Sequence, residues 1–196
     1  MKTKQFLFLF VTFLACAMNV FAQSVSLPYY CDFESKTENA NWLLNAGNTA
    51  KIKNKWVINK PFITMDDDEG NFMYISFDGG VNAVYEDKDN FVIAYRSFNL
   101  AAGNYDLAFD WKGLGKEDMA EMYVAWVPEA YELVYGKMVS LNFYTGHGDW
   151  PTWFKVSMLK NLNGSDSVMY GRTSWTHSTA KLYCPEDGNY RLVFVW

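Results

Sequence analysis

The sequence predicts an all-β chain, a two-sheet antiparallel sandwich of jelly-roll type, and three observations carry that prediction. The first is a repeated phrase. Gly103-Asn104-Tyr105-Asp106-Leu107-Ala108-Phe109-Asp110-Trp111 and Gly188-Asn189-Tyr190-Arg191-Leu192-Val193-Phe194-Val195-Trp196 each open with Gly-Asn, then place Tyr, Leu, Phe and Trp at every second position. Period-two spacing puts those four side chains on one face of a strand. The second is composition: hydrophobic residues are 50% of the chain and aromatic residues 18%, so the core is built largely from rings. The third is that strand-like alternation recurs between turn residues, with none of the strand-helix rhythm of a parallel sheet.

The chain opens with a leader. Lys2 and Lys4 precede the apolar run from Phe6 to Ala17, and Val20-Phe21-Ala22 gives small residues at the positions a signal peptidase reads. Residues 1–22 are therefore expected to be removed on export, leaving one domain over 23–196. The apolar run is short for a bilayer span, so no membrane insertion is expected after cleavage. The competing readings are a membrane anchor or buried first helix, and lipid attachment at Cys16 after Phe13-Leu14-Ala15.

Leader removal takes two lysines and no acid. The formal charge then moves from −5 to about −7, with 22 acids against 15 bases instead of 17. That balance argues against nucleic acid and anionic membrane surfaces as partners. Two cysteines remain, Cys31 and Cys184. In an oxidising compartment they form either one disulfide, closing a loop of about 150 residues worth roughly 3–5 kcal/mol, or two separate buried thiols.

Strands are expected over Trp56–Ile58, Phe72–Phe77, Phe91–Phe98, Tyr105–Trp111, Met122–Val127, Met138–Tyr144, Trp153–Leu159, Trp175–Tyr183 and Tyr190–Trp196. Phe91–Phe98 and Tyr105–Trp111, joined by a short connection, read as an antiparallel pair. Short helices are conceivable only at Thr37–Leu44 and Lys116–Met122. Long loops separate the strands at 45–55, 59–71, 113–121 and 161–174. The repeated phrase ends at the last residue, so the chain is expected to be a fragment of a longer protein.

Several short motifs, in order, carry a resemblance. They are Leu27-Pro28-Tyr29-Tyr30-Cys31-Asp32-Phe33-Glu34, Asn41-Trp42, Asn54-Lys55-Trp56, Tyr74-Ile75-Ser76 and Ala94-Tyr95-Arg96-Ser97-Phe98, followed by Gly103-Asn104-Tyr105 and Phe109-Asp110-Trp111. Over residues 27–196 the chain resembles the jelly-roll modules of Bacteroidetes surface proteins called choice-of-anchor J or cleaved-adhesin domains, which are similar to MAM domains. The resemblance implies an exported, non-catalytic, concanavalin-like sandwich that is one module of a longer protein.

Three constellations bear on chemistry. Asp32 and Glu34, two apart on an early strand, and Asp78, in the turn after an apolar strand, are candidate ligands for one structural calcium ion. The acidic loop Asp66-Asp67-Asp68-Glu69-Gly70-Asn71 lacks EF-hand spacing. The bland alternative is a solvated loop and a turn Asp capping its own backbone. Gly146-His147-Gly148-Asp149-Trp150-Pro151-Thr152-Trp153 sets rings beside polar groups, so His147, Asp149, Trp150 and Trp153 are candidate sugar-binding residues. The alternative buries Trp153 in a strand and lays Trp150 over a sandwich edge.

Catalysis finds little support. His147 and His177 are the two histidines, no Gly-x-Ser-x-Gly elbow is present, and zinc-ligand spacing is missing. His177 reads as an ordinary strand residue. Asn163-Gly164-Ser165 fits a glycosylation sequon and Asp166-Ser167-Val168 a short O-glycosylation motif; both suggest only an exposed loop. The expected function is a secreted or cell-surface binding or adhesion module, not an enzyme, whose partner is a glycan or a host or matrix protein. The alternatives are an accessory domain of a secreted hydrolase and a structural spacer.

Overall fold

The computed structural model describes residues 25, 27–45, 47–48, 51–62, 69–87, 91–113, 115, 120, 122–130, 133, 168–169 and 171–196. The leader, Cys16, Asp66–Asp68, His147–Trp153 and the strands expected at 138–144 and 153–159 lie outside those residues.

The chain is all-β, with antiparallel sheets. One four-residue helix, α1 (Lys36–Asn39), precedes β1 (Trp42–Leu44), β2 (Lys55–Asn59), β3 (Phe72–Ser76), β4 (Ile93–Leu100), β5 (Gly103–Gly113), β6 (Met122–Pro128), β7 (Val168–Met169), β8 (Arg172–Cys184) and β9 (Gly188–Val195). A five-stranded sheet runs β1-β4-β9-β6-β7; β2 pairs with β3, and β5 with β8. Among the described residues no helix is long and apolar enough to cross a membrane. The helix conceived over Thr37–Leu44 stops at Asn39. Ser35 caps its start by accepting from the Glu38 N–H, and Trp42–Leu44 pairs with β4 instead.

The expected β4–β5 hairpin is not formed. β4 is bonded on one edge to β9 along its length and on the other to β1. A β5 partner would have to displace β1. The chain instead turns a corner at Ala101-Ala102, and β5 pairs with β8, Gly103 opposite Cys184. β8 turns the same corner in the opposite sense and returns as β9, with Gly188 opposite Leu100. One long antiparallel ribbon, β4–β5 against β8–β9, thus bends between two sheets.

The repeated Gly-Asn-Tyr phrase sits at that bend in both strands. The Tyr105 hydroxyl donates to the Ala101 carbonyl at 2.8 Å, and the Tyr190 hydroxyl to the Glu186 carbonyl at 2.9 Å, each reaching back four residues. A phenol half in the core needs a partner for its O–H, and the carbonyl just before the turn supplies it. The Ala102 N–H donating to Asp187 and the Asn99 amide donating to Asn189 tie the two turns together.

The core fills with rings, as the composition implied. Phe194 of β9 meets Trp42, Trp56 and Phe109 at centroid distances of 5.8, 6.5 and 5.7 Å. Trp126 stacks on Tyr190 and touches Phe98. Tyr190, Phe194 and Trp111 are buried, and Tyr105 and Phe109 pack against the same cluster. The opposite face of the five-stranded sheet is also buried: Ile93, Ala125, Val127, Val193 and Val195 cluster with Leu133. The sheet is therefore covered on both sides along this stretch, and β6 and the second half of β9 read as near-continuous apolar runs.

Two asparagines act as strand backbone. The Asn45 amide donates to the Trp56 carbonyl and its carbonyl oxygen accepts the Trp56 N–H, each at 2.7 Å. Asn54, fully buried, makes the same two-way exchange with the backbone of Glu86. Both satisfy main-chain groups that have no ladder partner at those points.

Candidate functional site

Alternation along β5 and β8 divides their side chains between core and solvent. On β8, Ser178, Leu182 and Cys184 are buried. His177, Thr179, Lys181 and Tyr183 therefore share the outward face, and Trp175, also exposed, stands just past them where the β5–β8 register shifts beyond Trp111. On β5 the outward row is Asn104, Asp106, Ala108 and Asp110. The register sets Asn104 opposite Tyr183, Asp106 opposite Lys181, Ala108 opposite Thr179 and Asp110 opposite His177. At about 3.3 Å per residue, Trp175 and Tyr183 stand roughly 26 Å apart along one strand.

Two rings mark the ends of this face. Trp175 is 46% exposed and Tyr183 42%. Trp175 packs at a tilt against Phe72 of β3, with ring centroids 5.5 Å apart, and the Lys112 ammonium lies 5.1 Å from its ring centroid. Between the rings the charges are paired: Lys181 with Asp106, and His177 Nδ1 with Asp110 Oδ1 at 2.7 Å. Both pairs are mostly exposed, so each is worth little to stability.

A His-Asp pair can act as a general base, on a side-chain nucleophile or on water. The described neighbours of His177 on this face include Asp110, Ala108, Lys112, Trp175 and Thr179. What the face offers is rings, hydroxyl and amide groups, and balanced charge. The strand over Trp175–Tyr183 was legible in the sequence, but its outward row was not singled out. The signal was available: Ala180, Leu182 and Cys184 fix the inward parity, leaving Trp175 and Tyr183 outside.

The predicted calcium ligands are not brought together. Residues 32–34 are not a strand, because Phe33 adopts a positive φ of 63° and the Asp32 carboxylate accepts the Glu34 N–H in an Asx turn. Glu34 instead reaches the far loop, accepting from the Asn71 N–H at 2.7 Å and its amide at 2.6 Å. Gly70 makes this approach possible: a Cβ there would lie 2.8 Å from Glu34 Oε1, on a backbone already at φ +101°. Asp78 accepts from the Ser76 hydroxyl, the Val81 and Asn82 N–H groups and the Asn82 amide. Those bonds, the Ser76 hydroxyl first, hold its carboxyl down at about 2. Asp78 therefore acts as the cap of its own turn. Among the described residues no three His, Cys, Asp or Glu side chains gather as a metal site.

Of the two readings of the cysteines, the structure has the separate thiols: Cys31 and Cys184 are both free. Cys184 lies at the core end of β8, opposite Gly103, where burial pushes its thiol up to about 11. Cys31 packs against the margin of the same cluster. The candidate sugar residues His147, Asp149, Trp150 and Trp153 lie outside the described residues.

One constellation had no local signal in the sequence. Arg96 of β4 is buried, and its Nε donates to Glu38 Oε1 at 2.9 Å. The Tyr29 hydroxyl donates to the same oxygen at 2.6 Å, and the Asn41 amide to Glu38 Oε2. The guanidinium also lies 5.9 and 5.5 Å from the ring centroids of Tyr29 and Phe98. Partial burial would raise the Glu38 carboxyl, but the Arg96 and Tyr29 bonds outweigh it and hold it below the usual carboxylate range. Burial, then the bond to Glu38, drives the Tyr29 phenol upward. This cluster fastens the segment before β1 onto the central sheet.

Compared with protein-family models, curated proteins and solved structures, the chain matches none of them.

Proposed function

We propose that this chain is an exported, non-catalytic binding module that meets a glycan or an extracellular protein through the outward face of β5 and β8. The observation behind it is the pairing of two large exposed rings, Trp175 and Tyr183, on one strand face. Aromatic bodies with polar tips are what binding surfaces enrich. The leader over residues 1–22 supports export, and the acidic balance disfavours nucleic acid.

In this reading the strands form a jelly-roll sandwich. The bent β4–β5/β8–β9 ribbon and the Phe109–Phe194 contact between its halves support that arrangement. The resemblance to choice-of-anchor J modules points the same way. The test expresses the full chain with its leader and screens the secreted product against immobilised glycans and matrix proteins. Binding to at least one class, weakened by Trp175→Ala, is expected. No binding to either class overturns the proposal.

A further inference from the structure

We infer that the β5–β8 face takes a neutral, hydroxyl-rich linear polysaccharide, laid along β8 with one sugar ring on Trp175 and another on Tyr183. This rests on the reading above that the face binds a partner, and it names the chemistry of that partner.

Three features select this ligand. The rings are exposed on one strand eight residues apart, Tyr183 within the outward row and Trp175 at the register shift that ends it, so one extended molecule can reach both while a small ligand reaches one. The apolar C–H face of a sugar packs on an aromatic plane, and its hydroxyls need donors and acceptors at the margins. Thr179 and Asn104 supply a hydroxyl and an amide between and beside the rings.

The charges decide between neutral and charged polymers. Asp106 and Asp110 occupy the face with Lys181 and His177 already against them. A polyanion would meet two carboxylates whose partner cations are engaged. A polycation would meet Lys181, and Lys112 over the Trp175 ring. A neutral polymer meets neither obstacle, and its hydroxyls can bond to either member of each pair. Lys112 lies over the Trp175 ring, and its flexible stem lets the ammonium move aside when a sugar stacks there.

The test is affinity electrophoresis of the secreted full chain. The gels contain neutral polymers (a mixed-linkage β-glucan, xyloglucan, galactomannan) or polyanions (polygalacturonate, heparin), each run at low salt and at 0.5 M NaCl. Retardation by at least one neutral polymer is expected, changing less than twofold with salt. Trp175→Ala should weaken it tenfold or more, and Tyr183→Ala severalfold. Trp175→Phe, which keeps a ring, should retain most binding and shows that any loss in Trp175→Ala is not a folding defect. Neutral-polymer binding untouched by the double Trp175→Ala, Tyr183→Ala variant overturns the proposal. So does retardation by polyanions alone with steep salt dependence. Trp175-dependent capture of a matrix protein without any glycan binding overturns this inference and leaves the binding-module reading standing. Silence against every polymer and every matrix protein overturns both.

Discussion

The β4–β9 half of the bent ribbon and its β5–β8 half carry the same repeated phrase into opposite surroundings. In both, the Tyr, Leu, Phe and Trp positions point inward. The positions between them differ. After Tyr190 they are Arg191, Val193 and Val195; after Tyr105 they are Asp106, Ala108 and Asp110. Val193 is fully buried against Ile93, Ala125 and Val127 on the second face of the five-stranded sheet. Asp106, Ala108 and Asp110 are exposed. A strand enclosed on both faces and a strand with one face in water thus share an inner half, and the other half of the alternation records which is which. The core needs the first kind of strand, and the proposed ligand surface needs the second.

The sharpest way to break this contrast is the same substitution on both strands. Val193→Asn removes buried apolar area and places an amide where no partner faces it, at a cost of about 3 kcal/mol. Against a typical stability of 5–15 kcal/mol this is a large fraction, and the urea midpoint should fall accordingly. Ala108→Asn on β5 exposes its amide to water and should change stability by less than about 0.5 kcal/mol. Comparable losses at the two sites would mean that the β5–β8 face is covered.

The ion pairs repeat the contrast more gently. Arg96 on β4 is buried with Glu38, and removing one partner strands the other's charge. Glu38 keeps some solvent contact, so Glu38→Gln should cost about 2 kcal/mol, less than a fully enclosed pair. Asp106→Asn on the outward face should show no measurable change in urea midpoint. The buried pair also responds to pH. The folded Glu38 carboxyl lies below its ordinary 4.5, so its contribution is fully present above pH 4.5 and fades as pH falls through the folded value. Wild type should therefore lose stability more steeply than Glu38→Gln on acidification below pH 4.5, as followed by thermal midpoints.

These contrasts mark what could be read from the sequence. The strands around the repeated phrase were legible because period two is a local property. So was the ring-filled core. The apolar in-between positions Val193 and Val195 also carried the signal of a doubly covered strand. What escaped was set by partners far along the chain. Arg96 and Glu38 are 58 residues apart, and either taken alone reads as an ordinary surface charge. Asn45 and Asn54 stand in for missing ladder bonds that only the assembled sheets reveal. The Ala101-Ala102 connection looks like a hairpin turn, yet competition from β1 and β9 for the edges of β4 sends the chain round a corner. Asp32 and Asp78 accept N–H groups of their own turns, a role that carboxylates fill as readily as cation binding and that sequence alone does not separate from it.

The corner itself gives the smallest effect and the most informative one. Because the two strands run antiparallel, exchanging β4 with β8 and β5 with β9 maps the bend onto itself, and Tyr105 onto Tyr190. Tyr190 is buried, so Tyr190→Phe leaves the Glu186 carbonyl short of a partner in a poorly hydrated place and should cost about 1 kcal/mol. The Tyr105 bond to Ala101 lies in water's reach, and Tyr105→Phe should cost about half as much. Each corresponds to a fall of a few degrees or less in thermal midpoint for a chain of this size. The double variant then asks a question neither single one can. The Ala102–Asp187 and Asn99–Asn189 bonds tie the two turns into one unit, so the combined loss should depart from the sum of the single losses by more than about 0.5 kcal/mol. Strict additivity would instead mean that each strand turns its corner independently, and that the repeated phrase reflects two separate local solutions.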